Sequence, residues 1–167
     1  LISIDQNFIK INLTKNTTII NYPIRDVIKT KLGDFNGDGI ADIYLLKAVG
    51  INCSSPGQTL SSAEVIVLSY NESTNNLIQI ANFPINNGVI EYNVTCNDHQ
   101  KLISFFENLS NSIDLGDFNG DGKTDILYNK FLVPFSQNNN PGSAELRVAY
   151  SDGLNFLFDI FLANLST

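Results

Sequence analysis

The feature that most restricts what this chain can fold into is a stretch that occurs twice. LGDFNGDGIADIYL spans residues 32–45, and LGDFNGDGKTDILY spans 115–128, 83 residues later, with ten of fourteen positions identical. A repeat of that fidelity makes the two flanking segments versions of one structural unit.

Within each copy the chemistry is carried by alternate residues. Asp34, Asn36, Asp38 and Asp42 occupy loop positions 1, 3, 5 and 9, and the main-chain carbonyl of Ile40 falls at position 7. The second copy repeats the set as Asp117, Asn119, Asp121 and Asp125, with the carbonyl of Lys123 at position 7. Three carboxylates, an amide oxygen and a carbonyl are hard donors, which suit Ca²⁺. Without a cation, three carboxylates a few ångströms apart repel one another. Gly39 and Gly122, at position 6, permit the sharp reversal such a loop needs. Ile40 against Lys123 is the kind of difference expected where only the main chain is a ligand. The bland alternative is a pair of Asx/Gly turns without metal, and the duplication weighs against it.

The loop is not a standard EF-hand, which needs Glu at position 12. That position holds Leu45 in one copy and Tyr128 in the other. The residues that follow, Ile43–Leu46 and Ile126–Tyr128, are continuous apolar runs without a helical stripe. Runs of this kind suit strands buried on both faces, so the loop reads as a β-hairpin connection.

DFNGDGIAD and DFNGDGKTD resemble the calcium loops of the FG-GAP/VCBS repeats, which build the β-propeller of integrin α chains and of many bacterial surface and toxin proteins. Dockerins and thrombospondin type 3 repeats use similar loops, but in helical or strand-poor settings. The resemblance implies that each loop joins the first two strands of a propeller blade and that the ten residues above hold two Ca²⁺ ions. It covers roughly residues 27–83 and 112–162 and is weak over 84–111.

The pattern of β-branched and aromatic runs punctuated by Pro, Gly and Asn predicts an all-β chain. Strands are expected over 27–32, 41–48, 64–70 and 76–83 in the first repeat, and over 112–116, 124–132, 145–150 and 155–162 in the second. A polar connection is expected over 49–62. Pro56-Gly57 and Ser62-Ala63-Glu64 recur in order as Pro141-Gly142 and Ser143-Ala144-Glu145, so the likeness extends past the loops. The chain is read as one repeat domain: flanking strands over 1–26, repeat 1 with an insertion over 27–111, and repeat 2 over 112–167. QNFIKINL near the start resembles LNFLFDIFL at 154–162, as though the opening residues ended another blade. In the insertion, GVIEYNV reads as an extra strand and KLISFFENL as a strand or a short helix. Propellers of this kind have four to eight blades. Two blades imply a larger parent protein, chains that assemble to complete a ring, or a shorter variant of the fold.

Net charge is −7 and nothing basic is clustered, which argues against nucleic acid as a partner. No apolar run approaches the roughly 18–20 residues of a membrane helix. Cys53 and Cys96 lie in polar stretches, and a disulfide would fit an oxidising compartment; two separate thiols are the open alternative. Seven N-x-S/T sequons, at Asn12, Asn16, Asn52, Asn71, Asn93, Asn108 and Asn164, point the same way. Calcium sites of modest affinity also suit an extracellular setting.

His99, the single histidine, lies near Cys96 and Asp98, but no orienting group or oxyanion motif accompanies it, and no phosphate loop is present. Phe131 and Phe135 read as core or edge cover. The expected function is therefore a non-enzymatic one: a calcium-stabilised, secreted or cell-surface module for adhesion or for binding a protein or glycan. The alternative is a non-catalytic propeller part of a carbohydrate-active enzyme or a multidomain toxin shell.

Overall fold

The computed structural model describes residues 2–4, 8–12, 19–23, 27–49, 58–60, 62–85, 90–94, 111, 113–131 and 144–165. The described chain is all-β and antiparallel. β1 (Ile2–Ile4), β2 (Phe8–Asn12) and β3 (Ile19–Pro23) form a three-stranded sheet. β4 (Val27–Gly33), β5 (Asp42–Val49), β7 (Ser62–Asn71) and β8 (Asn76–Ile85) form a four-stranded meander in the order β4-β5-β7-β8. β10 (Ile113–Gly116), β11 (Asp125–Phe131), β12 (Ala144–Ser151) and β13 (Phe156–Leu165) form a second meander in chain order. These eight strands fall on the eight segments expected from sequence. None of the described sheets closes on itself. Among the described residues no helix is long and apolar enough to cross a membrane.

Two details depart from expectation. The connection at 49–62 contains a short strand, β6 (Gln58–Leu60), which pairs with β9 (Ile90–Val94) from the insertion. Pairing the two satisfies main-chain groups of both segments outside the meanders. β2 is the middle strand of its sheet, whereas β13, whose sequence it resembles, is an outermost strand. Place in a sheet follows from neighbours and not from apolar content alone. Cys53, Cys96, His99, Phe135 and the KLISFFENL segment lie outside the described residues, as do Asn16, Asn52 and Asn108.

The core explains why β5 is apolar on consecutive positions. Side chains alternate along a strand. Tyr44 and Leu46 enter one cluster with Val65, Val67 and Ile85, and with Ile113, Ile126, Tyr128 and Ala149 of the second sheet. Ile43 and Leu45 enter another with Leu68 and Leu77 on the opposite face. Each such side chain, fully buried, contributes about 1.5–3 kcal/mol. An aromatic seam joins the two meanders. Phe156 lies 5.0 Å from Phe35, 5.5 Å from Phe83 and 6.4 Å from Tyr44, and Phe83 lies 5.4 Å from Tyr128.

The two sheets meet through non-equivalent faces. By the repeat, Ile126 and Tyr128 correspond to Ile43 and Leu45, yet they pack against the Tyr44 and Leu46 face of the first sheet. Such head-to-tail contact uses a different face of each unit.

Candidate metal centre

Each repeated loop closes the first hairpin of its meander. Gly33 pairs with Asp42 at the end of β4 and β5, and Gly116 pairs with Asp125 at the end of β10 and β11. The residues between fold the same way in both copies. Asp34 accepts the amides of Gly37 and Asp38 on Oδ1 at 2.7 and 3.1 Å, and that of Gly39 on Oδ2 at 2.7 Å. Asp117 accepts Gly120, Asp121 and Gly122 likewise, at 2.7, 3.1 and 2.9 Å. The Oδ1 atoms of Asn36 and Asn119 each accept the amide two residues on, at 3.0 Å. Asp38 and Asp121 accept the amides of Ile40 and Lys123, at 2.7 and 2.9 Å. Gly39 and Gly122 take φ of +80° and +85°, where a Cβ would be strained.

Position 9 is the buried end of each loop. Asp42 and Asp125 are 1% and 0% exposed. Asp42 Oδ2 accepts the amide of Phe35 at 3.0 Å, and the Ser69 hydroxyl also bonds to this carboxylate. Asp125 accepts the amides of Phe118 at 2.9 Å and Ser151 at 2.8 Å. Burial pushes both carboxyls above the usual value, and the Asp34–Asp38 and Asp117–Asp121 charges push in the same direction. The hydrogen bonds counter part of that shift.

The remaining candidates are more open. Asn36, Asp38, Ile40, Asp117, Asn119 and Asp121 are exposed, while Asp34 and Lys123 are half-buried. The two loops differ in counter-charge. The Lys123 amide, and with it Lys123 Nζ at 3.1 Å from Oδ2, holds the Asp121 carboxyl below its ordinary range. Among the described residues no Lys or Arg pairs with Asp34, Asp38 or Asp42.

The donor set fits a hard divalent cation by chemistry and by charge: all oxygen, with three carboxylates per loop. Among the described residues no three Asp, Glu, His or Cys side chains are gathered as a ready cage. The side-chain oxygens are turned to loop amides instead, and Asn36 donates its own amide to Asp38 Oδ2 at 2.9 Å. Ligation requires the Asn36 amide and the Asp38 carboxylate to turn inward. Such local rotation is well within the reach of exposed side chains. The chain matches no family model, no curated protein and no solved structure.

Sequence reasoning missed the residues that support the loops: Phe35, Ser69, Thr124 and Ser151. The available signal was the contrast at position 8, Ala41 against Thr124, inside otherwise matching motifs. Nothing in sequence shows that Thr124 reaches the other loop.

Proposed function

We propose that this chain is a calcium-binding module of the FG-GAP/VCBS type, two β-propeller blades with flanking strands. In this reading the metal is structural and the module serves adhesion, or binding of a protein or glycan, outside the cell. The observation that carries the proposal is the matched folding of the two loops: the same acceptors, the same amide donors and the same left-handed glycines, each at the first hairpin of a four-stranded meander. Asp34, Asn36, Asp38, the Ile40 carbonyl and Asp42 would hold one ion. Asp117, Asn119, Asp121, the Lys123 carbonyl and Asp125 would hold the other. Bound Ca²⁺ supplies positive charge that offsets the carboxylate repulsion in each loop.

Head-to-tail packing of the sheets supports the propeller reading, because blades stack in this way around an axis. Phe35 is fully buried under Phe156, whereas its counterpart Phe118 is 43% exposed. The outermost strand β13 also exposes Leu157, Ile160, Phe161 and Leu162. Apolar surface of this kind suits a further sheet of the same type.

The test is a calorimetric titration of CaCl₂ into the chelator-stripped chain. Two ions per chain are expected, and one after either Asp38→Ala or Asp121→Ala. A wild type that takes up no Ca²⁺ would show the loops to be ordinary turns.

A further inference from the structure

The two loops touch each other through polar bridges. Thr124 stands between Lys123 and Asp125, at positions 7 and 9 of the second loop. Its amide donates to the main-chain carbonyl of Asp34 at 2.6 Å, and its hydroxyl accepts the Asp34 amide at 2.8 Å. One residue flanked by two ligand positions of the second loop therefore holds both main-chain polar groups of position 1 in the first. The Tyr44 hydroxyl completes the bridge by donating to the Thr124 carbonyl at 2.8 Å.

A second path joins the buried position-9 carboxylates. Ser151 donates its amide to Asp125 Oδ1 at 2.8 Å and its hydroxyl to the Phe35 carbonyl at 2.7 Å. The Phe35 amide donates in turn to Asp42 Oδ2 at 3.0 Å. Asp125, Ser151, Phe35 and Asp42 are all buried, so water competes little for these bonds. The arrangement is directional: position 8 of the first loop is Ala41, which is exposed and has no hydroxyl to offer.

We infer that the two loops take up Ca²⁺ as one coupled unit, with Thr124 and Ser151 as the positioning residues that carry the coupling. The inference rests on the reading that both loops bind Ca²⁺. Ordering the second loop restrains Thr124 and Ser151, and these restrain the main chain of Asp34 and Phe35. Part of the conformational entropy lost in ordering the first loop is then lost before its own ion binds. Linkage makes the effect reciprocal, with the same factor in both directions.

The experiment is CaCl₂ titration of the full chain by calorimetry, on wild type, Asp38→Ala and Asp121→Ala. Asp121→Ala should weaken the first site about five- to tenfold, and Asp38→Ala should weaken the second by the same factor. Adding Thr124→Ala should lower both factors, Thr124→Ala with Ser151→Ala should bring them close to one, and Thr124→Ser, which keeps the hydroxyl, should restore them. In Asp38→Ala, where only the second site fills, CaCl₂ should slow hydrogen exchange of the Gly37 and Gly39 amides severalfold. A bridge with a merely structural role would lower stability on Thr124→Ala without altering either factor. Two bound ions in wild type with unit factors in both single variants would overturn the coupling and leave the calcium reading standing. No Ca²⁺ uptake by wild type would overturn both.

Discussion

Gly33 and Thr124 show how much a single position depends on the other repeat. A Cβ built on Gly33 would meet Thr124 Cγ2 at 2.5 Å and Thr124 Cβ at 2.9 Å. Thr124 cannot retreat without giving up its bonds to Asp34. Gly33→Ala should therefore destabilise the chain by about 1–3 kcal/mol, as overpacking does. Gly39 makes the contrast. It has open space around it, so Gly39→Ala is opposed only by its positive φ and should cost about 1 kcal/mol. Urea denaturation of the two variants checks the order. Equal effects would mean that Thr124 yields freely. Identical motif residues also meet different surroundings: Phe35 is sealed under the second sheet, while Phe118 faces outward.

Among elements, the seam between the meanders is the weight-bearing contact. Phe156 touches three aromatic partners from the first sheet, so Phe156→Ala should cost about 3 kcal/mol. Phe118→Ala should cost under about 0.5 kcal/mol in the isolated chain. Denaturant midpoints distinguish the two. A polar tie crosses the same seam at its rim, where Lys31 of β4 donates to Asp114 of β10. The Lys31 bond holds the Asp114 carboxyl below its ordinary value, with the Leu115 amide adding to the effect. A folded-state value below the unfolded one stabilises above the unfolded value and loses that contribution as pH falls through the folded one. Asp114 is exposed, so the gain is only about 0.2–1 kcal/mol. Asp114→Asn should thus be less stable than wild type at pH 6, with the gap narrowing as pH falls below the ordinary carboxylate value. Unfolding free energies measured from pH 6 into the acid range check it, and a gap that does not narrow with falling pH would mean the loss is not ionic.

At the scale of the whole molecule, the proposed Ca²⁺ would act on the chain's charge. The chain carries −7, and six of its seventeen acidic groups lie in the two loops. A site that binds only the folded state adds RT ln(1 + [L]/Kd). With Kd near 10⁻⁴–10⁻³ M, about 1 mM Ca²⁺ gives roughly 0.4–1.4 kcal/mol per site. Two sites then raise melting by several degrees. Asp38→Ala and Asp121→Ala should each remove more than half of the rise if the loops are coupled, and half if they act independently. Thermal melts in Ca²⁺ and in chelator measure this. Superimposed wild-type melts would remove the structural role of the metal.

The all-β class, the eight strands of the two meanders and the hairpin placement of both loops were legible in the chain itself. These are local properties: a period of two, turn residues at fixed places, and a motif whose ligands lie within nine residues. The β6–β9 pairing was not legible, although GVIEYNV reads as a strand, because its partner lies about thirty residues away in a polar connection with no strand pattern. Nor was the meeting of non-equivalent faces, which depends on which apolar side of each sheet finds the other. The tie from Thr124 to Asp34 crosses 90 residues of chain, and that from Ser151 to Phe35 crosses 116. A threonine and a serine have no sequence mark that tells a bridge from a surface hydroxyl. Only packing at the seam, with Gly33 lacking a Cβ and Phe156 filling the gap, brings the two loops within hydrogen-bonding distance.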